Sequence, residues 1–158
     1  MLIQRSHILT LYDVNFHALP VTEPLISGTV YPIQMLDKKG NNMTKQALVP
    51  VADGSEEMEA VTIIDVLRRA GVAVTVASVS DSKDLKITAS RGTRIVADCS
   101  IHDCAGKAWD LIALPGGVPG SQHLAESAVL DQLLQTHVKE LRLLGAICAA
   151  PAVVLGEK

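Results

Sequence analysis

The first group in this sequence equipped for chemistry is a cysteine set among small residues. Gly145-Ala146-Ile147-Cys148-Ala149-Ala150 places Cys148 between an apolar run, Leu143–Ile147, and a helix that starts in Ala149–Leu155. This is the layout of a nucleophile elbow. A sharp turn pushes one side chain out, and small neighbours let strand and helix pack closely around it. The positive end of the helix dipole favours the thiolate. The plainer alternative is a buried structural cysteine. Glu59 lies in the first turn of another helix, near the same rim. A carboxyl beside a thiol can hydrogen-bond it and, when protonated, donate to the thiolate. Alternatively Glu56, Glu57 and Glu59 only complement a helix N-terminus. Gly116 and Gly117 follow a third apolar run and bring bare backbone N–H groups that suit an oxyanion. Their alternative role is a turn that requires positive φ.

Other polar groups carry weaker signals. Gly116-Gly117-Val118-Pro119-Gly120 does not match the dinucleotide-binding glycine pattern, so no cofactor is expected. Cys99, His102 and Cys104 are zinc-ligand types, but no second cluster supplies a fourth ligand, so no metal is expected. His123, just after the glycine-rich turn, is a minor candidate for a general base. His137 falls near the apolar face of its helix and reads as a boundary residue.

The elements that must position these groups are legible from periodicity. Ala47–Val51 is a short apolar run followed by Asp53-Gly54-Ser55, a strand and then a turn. Ser55 reads as the N-cap of a helix whose Ala60, Ile63, Ile64 and Leu67 share one face. Arg68 and Arg69 lie in its last turn, and Gly71 ends it. Val72–Val79 is a second buried strand and Asp81–Asp84 a turn. Leu85–Ala89 and Thr93–Ala97 form a small hairpin around Gly92. Asp110–Leu114 is a third strand, Ala125–Glu140 a helix with Leu130, Leu133 and Leu134 on one side, and Leu143–Ile147 a fourth strand. This order predicts an α/β fold with a mostly parallel sheet covered on both faces. Ligands in such sheets bind beyond the carboxyl ends of the strands. Glu59, Gly116-Gly117 and Cys148 all follow strand ends, so they are expected to converge.

Composition sets the outer bounds. The chain has 158 residues, 48% apolar and 20% charged, with a net charge of −3. That fits one soluble domain and is too apolar for a disordered chain. No Lys/Arg cluster is available to track a phosphate backbone, so no nucleic-acid surface is expected. No run of 18 apolar residues is present, so no membrane span is expected. Three cysteines are too few for a disulfide framework, and a reducing, cytoplasmic setting is the default.

Residues 1–44 differ from the rest. They hold Tyr12, Phe16 and Tyr31 and are electrically neutral, so the whole net charge resides in 45–158. Pro20, Pro24 and Pro32 forbid a long helix. His7, Thr10, Asp13, Asn15 and His17 interrupt any signal-peptide core. The segment reads as a poorly ordered extension ending in the linker Lys38–Asn42, with an uncleaved targeting segment as the sharper alternative. Met43-Thr44-Lys45-Gln46 before a strand also resembles a natural protein start.

Five phrases together resemble the ThiJ/PfpI superfamily, and within it the parkinsonism-associated protein deglycase subgroup. They are Ala47-Leu48-Val49 with Gly54-Ser55-Glu56-Glu57-Met58-Glu59, then Asp65–Gly71, Ser90-Arg91-Gly92, Leu114-Pro115-Gly116-Gly117, and Ala146-Ile147-Cys148-Ala149-Ala150-Pro151. The resemblance covers residues 45–158. It implies a flavodoxin-like three-layer sandwich and a homodimer. It makes Cys148 the reactive cysteine, Glu59 the protonated carboxyl supporting its thiolate, and Gly116-Gly117 the source of site amides. Arg69 and Arg91 match arginines near the dimer and site region. The implied activity is glyoxalase-type conversion of methylglyoxal, or deglycation of early glycated groups, with a small aldehyde or glycated adduct as substrate. The alternatives are a redox-sensing chaperone using the same cysteine and an inactive truncated product. Peptidase relatives place histidine directly after the cysteine, where this chain has Ala149. The resemblance also implies that roughly the last third of the family domain, with a histidine near the cysteine, lies beyond Lys158.

Overall fold

The computed structural model describes residues 44–80 and 85–156. The expectations for the N-terminal extension, its linker and the Asp81–Asp84 turn lie outside the described residues.

Seven strands and four helices stand among the described residues, with the strand Cys99–Ser100 and a separate helix, Val118–Glu126, added to the expected order. They are β1 (Gln46–Val51), α1 (Glu57–Arg69), β2 (Ala73–Ser78), β3 (Lys86–Thr88), β4 (Arg94–Val96), β5 (Cys99–Ser100), β6 (Leu111–Leu114), α2 (Val118–Glu126), α3 (Ala128–Lys139), β7 (Leu143–Ala146) and α4 (Ala150–Val153). A short 3₁₀ helix, Ile101–Cys104, follows β5. Five strands form one sheet in the order β5-β2-β1-β6-β7, and every pairing in it is parallel. The hairpin β3–β4 is antiparallel and stands apart from that sheet.

Alternation along each strand sends successive side chains to opposite faces, and this divides the core. Leu48, Ile112 and Leu114 point to the face covered by α2, α3 and α4, where they meet Leu124, Leu130, Leu134 and Val154. Val49, Val51, Val76 and Ala113 point to the other face, where they meet Ala60 and the hairpin's Ile87. Ile63, Ile64 and Leu67 pack against the same cluster, so the predicted stripe of α1 is the one that docks. The result is the expected three-layer, flavodoxin-like α/β fold. Each fully buried leucine or isoleucine on these faces contributes roughly 1.5–3 kcal/mol.

Three local expectations are corrected. Ser55 does not cap α1. Its hydroxyl accepts from Ala52 N–H at 3.0 Å, closing the β1–α1 turn, and Glu56 is the cap, accepting from Glu59 N–H at 2.7 Å. The single helix over 125–140 is two helices. Ser127 is extended, ends α2, and caps α3 by accepting from Leu130 N–H at 3.2 Å. A serine side chain competes for backbone N–H groups in this way, so it breaks the pattern that leucine spacing alone suggests. Helix α2 itself begins at Val118, within a stretch that reads as a turn. Pro119 sits in its first turn, where a missing N–H costs nothing.

Both long helices close the same way. Gly71 follows α1 at φ 80°, with Gly71 N–H on Arg68 O and Val72 N–H on Leu67 O. Leu141 follows α3 at φ 55° with the equivalent pair, Leu141 to Val138 and Arg142 to His137. Leucine is strained where glycine is usual, and this one is also 92% exposed.

Candidate active site

Strands β1, β6 and β7 are parallel neighbours, so their carboxyl ends lie side by side at one rim. The chain leaving β7 turns sharply. Cys148 stands at φ 59°, a left-handed conformation that L residues seldom adopt, and its side chain is exposed. Ile147 N–H donates to Leu114 O across the β6–β7 boundary and anchors this turn. Cys148 thus combines a left-handed backbone and an exposed position with the small neighbours Ala146, Ala149 and Ala150.

Gly116, after β6, is where the other groups meet. Its N–H donates to Glu59 Oε2 at 2.8 Å, and its carbonyl accepts from Glu56 N–H at 3.0 Å. A side chain there has no room. A Cβ on Gly116 would stand 2.6 Å from Cys148 Cβ, 2.8 Å from Glu59 Oε2 and 3.0 Å from Ala149 N. Cys148, Glu59 and the elbow amide thus border the same small volume, although they are far apart in sequence. This glycine is needed for close approach. Gly117 is needed for conformation as well, at φ 87°, and a Cβ there would strike Gly54 O and Glu56 N.

The sequence expected both glycine amides to face substrate. Gly116 N–H is instead committed to Glu59, which narrows that expectation. The N–H groups of Gly117 and Ala149 make no hydrogen bond among the described residues. The amide after an elbow nucleophile is a usual oxyanion donor, so Ala149 is a group that sequence reasoning missed. Its signal was its position directly after Cys148.

Glu57 does more than complement the helix dipole. Its carboxylate accepts from Ser90 Oγ at 2.8 Å and from Arg91 N–H at 2.9 Å, clasping the β3–β4 turn to α1. Burial pushes this carboxyl up. Hydrogen bonds from its own amide, Ser90, Thr93 and Arg91 outweigh that and hold it down at about 2. Folding lowers this group below its ordinary 4.5. Its contribution to stability is therefore whole above about pH 4.5 and is lost as the pH falls toward 2. The melting temperature of Glu57→Gln should lie below that of the parent at pH 7, and the gap should close on acidification. A gap that stays constant from pH 7 to 2.5 would contradict the clasp.

The remaining candidates fall elsewhere. His123 Nδ1 is hydrogen-bonded to Asp53 O at 2.8 Å. His137 is buried, with Nε2 on Leu143 O, and burial is the first cause lowering its basicity. It braces α3 against β7, as its boundary position suggested. Arg69 pairs with Asp65 at 2.7 Å on the surface of α1, and Arg91 uses its backbone for the Glu57 clasp. Among the described residues, no group of three or more His, Cys, Asp or Glu is arranged to hold a metal ion. No helix among them is long and apolar enough to cross a membrane.

A five-stranded parallel sheet covered on both faces, with Cys148 and Glu59 near one rim, defines a flavodoxin-like α/β protein. The sequence model of the DJ-1/PfpI family matches residues 45–158, and the chain belongs to that family. It is 43% identical to protein DJ-1 homolog B of Arabidopsis thaliana over 143 residues, which is 87% of this chain and 32% of that protein. Residues 45–158 alone cannot supply a share of 87%, so this likeness reaches into the segment before residue 45. The chain is also 43% identical to the Caenorhabditis elegans protein named glutathione-independent glyoxalase DJR-1.2, over 68% of this chain and 55% of that one. The solved structure of oxidized Toxoplasma gondii DJ-1 superposes with a TM-score of 0.70 at 48% identity, covering 72% of this chain and 61% of that one. The chain spans between about a third and three fifths of the length of these relatives.

Proposed function

We propose that the Cys148 site performs cofactor-independent glyoxalase chemistry on methylglyoxal or a similar small 2-oxoaldehyde. The observation that supports it most is the Gly116 contact set, which places Cys148 Cβ, the Glu59 carboxyl and the Ala149 amide within 3.0 Å of one point. The C. elegans relative's name points the same way.

The chemistry follows from these groups. Cys148 Sγ adds to the aldehyde carbon, and the oxygen takes the developing negative charge beside Ala149 N–H and Gly117 N–H. The adduct is a hemithioacetal. Glu59 carries a proton from the former aldehyde carbon to the neighbouring carbonyl carbon, while the hemithioacetal hydroxyl proton passes to the ketone oxygen, giving a thioester of lactate. Water cleaves the thioester, releasing lactate and the free thiol. The net change is addition of one water to methylglyoxal, and no redox partner is consumed. The same addition step serves early glycated groups, so deglycation is a variant of this reading. A second reading, peroxide sensing by Cys148, is favoured by the thiol's exposure. Met58 and Val61 on α1 are 75% and 51% exposed, which supports a homodimer through that helix. Three free thiols support a reducing, cytoplasmic setting.

Glu59→Gln tests the reading. The amide oxygen still accepts from Gly116 N–H, so the fold is kept while the proton carrier is lost. Lactate formation should fall roughly 10²–10⁴-fold. A rate equal to the parent would remove Glu59 from the mechanism.

A further inference from the structure

We propose that Cys99 and Cys104 form a second redox site, a dithiol that hydrogen peroxide closes to an intramolecular disulfide. The pair lies outside the Cys148 site. Cys99 opens the edge strand β5, and Cys104 closes the 3₁₀ helix that follows it. The turn between them is fixed on both sides. Ser100 Oγ accepts from His102 N–H at 3.3 Å, and Asp103 Oδ2 accepts from Ser100 N–H at 3.1 Å. This capping box brings the two sulfurs to 3.6 Å, van der Waals contact. A disulfide needs about 2.05 Å, a closure within reach of side-chain rotation.

The two thiols are placed for different roles. Cys99 is half-buried and open to a small oxidant, whereas Cys104 is fully buried. Burial first, and then the neighbouring Cys99, push the Cys104 thiol up, so it keeps its proton. Its S–H is within reach of Cys99 Sγ across the 3.6 Å contact.

The steps balance. Cys99 thiolate attacks one peroxide oxygen, the O–O bond breaks, and hydroxide leaves, giving a sulfenic acid. Cys104 Sγ attacks Cys99 Sγ, the S–O bond breaks, and the Cys104 proton leaves with the departing hydroxide as water. In sum two thiols and one hydrogen peroxide give one disulfide and two waters. The protein loses two electrons and the peroxide gains them. The cross-link pins an edge strand that pairs with β2 through only Ala77–Cys99 and Ser78–Ser100.

The test uses the full chain and its Cys148→Ser variant, each treated with hydrogen peroxide and then digested with trypsin. Residues 95–107 form one tryptic peptide holding both cysteines. Expected is a loss of about 2 Da on that peptide with no free thiol left to alkylate, reversed by dithiothreitol and equal in both proteins. In Cys104→Ser, Cys99 should instead gain oxygens. The proposal is overturned if Cys99 in the full chain accumulates two oxygens while Cys104 stays alkylatable. It is equally overturned if both thiols stay reduced at peroxide levels that oxidise Cys148.

Discussion

Cys148→Ala should abolish lactate formation from methylglyoxal, with a fall of roughly a thousandfold or more. The step lost is bond formation to the aldehyde carbon, and neither Glu59 nor a backbone amide can replace a nucleophile. Cys99 is half-buried in β5, and Cys104 is buried at the end of the 3₁₀ helix that follows it. Neither borders the volume at Gly116. The fold should survive, because alanine keeps the Cβ and φ 59° strains both residues alike. Cys148→Gly separates chemistry from strain. It removes the thiol and relieves the left-handed backbone, so it should be equally inactive yet more stable by about 1 kcal/mol. Circular dichroism melts of the two variants, beside the parent, read the difference. Parent-like turnover by Cys148→Ala would sink the assignment.

Gly116→Ala should be nearly as damaging without touching a reacting group. The added methyl would stand 2.6 Å from Cys148 Cβ and 2.8 Å from Glu59 Oε2. Both are closer than carbon and oxygen tolerate, and one neighbour is held by the strained elbow. The carboxyl, the elbow or both must shift. Overpacking of this kind costs roughly 1–3 kcal/mol of stability. Displacement of a reacting group by about 1 Å costs on the order of a hundredfold in rate. The rate loss should appear in kcat, since substrate reaches Cys148 from the exposed side. Unchanged kcat with only a raised KM would mean that Gly116 lines the approach rather than positioning Glu59.

Much of this arrangement was legible in the residues. The stripe Ala60, Ile63, Ile64 and Leu67 and the closing Gly71 defined α1 nearly to its ends. Apolar runs at 47–51, 110–114 and 143–147 marked three strands of the parallel sheet, and parallel strands dictate that the residues after them share a rim. That rule alone brought Cys148, Glu59 and Gly116 together. Other features were hidden for physical reasons. Strand β5 is two residues long, too short for any alternation. Ser127 breaks a helix by a side-chain bond that leucine spacing does not register. The Glu57 clasp joins residues more than thirty positions apart, so nothing local distinguishes Glu57 from Glu56. The commitment of Gly116 N–H to Glu59 is likewise a tertiary fact. A Gly-Gly pair announces only that side chains are unwelcome.

The most direct test of the central claim is to incubate the protein with methylglyoxal, without glutathione, and follow the products by proton NMR. The Cys148–Glu59 site predicts lactate that accumulates over many turnovers in proportion to protein. Consumption of methylglyoxal that stops at a stoichiometric amount, with adducts on lysine and arginine and no lactate, would contradict it.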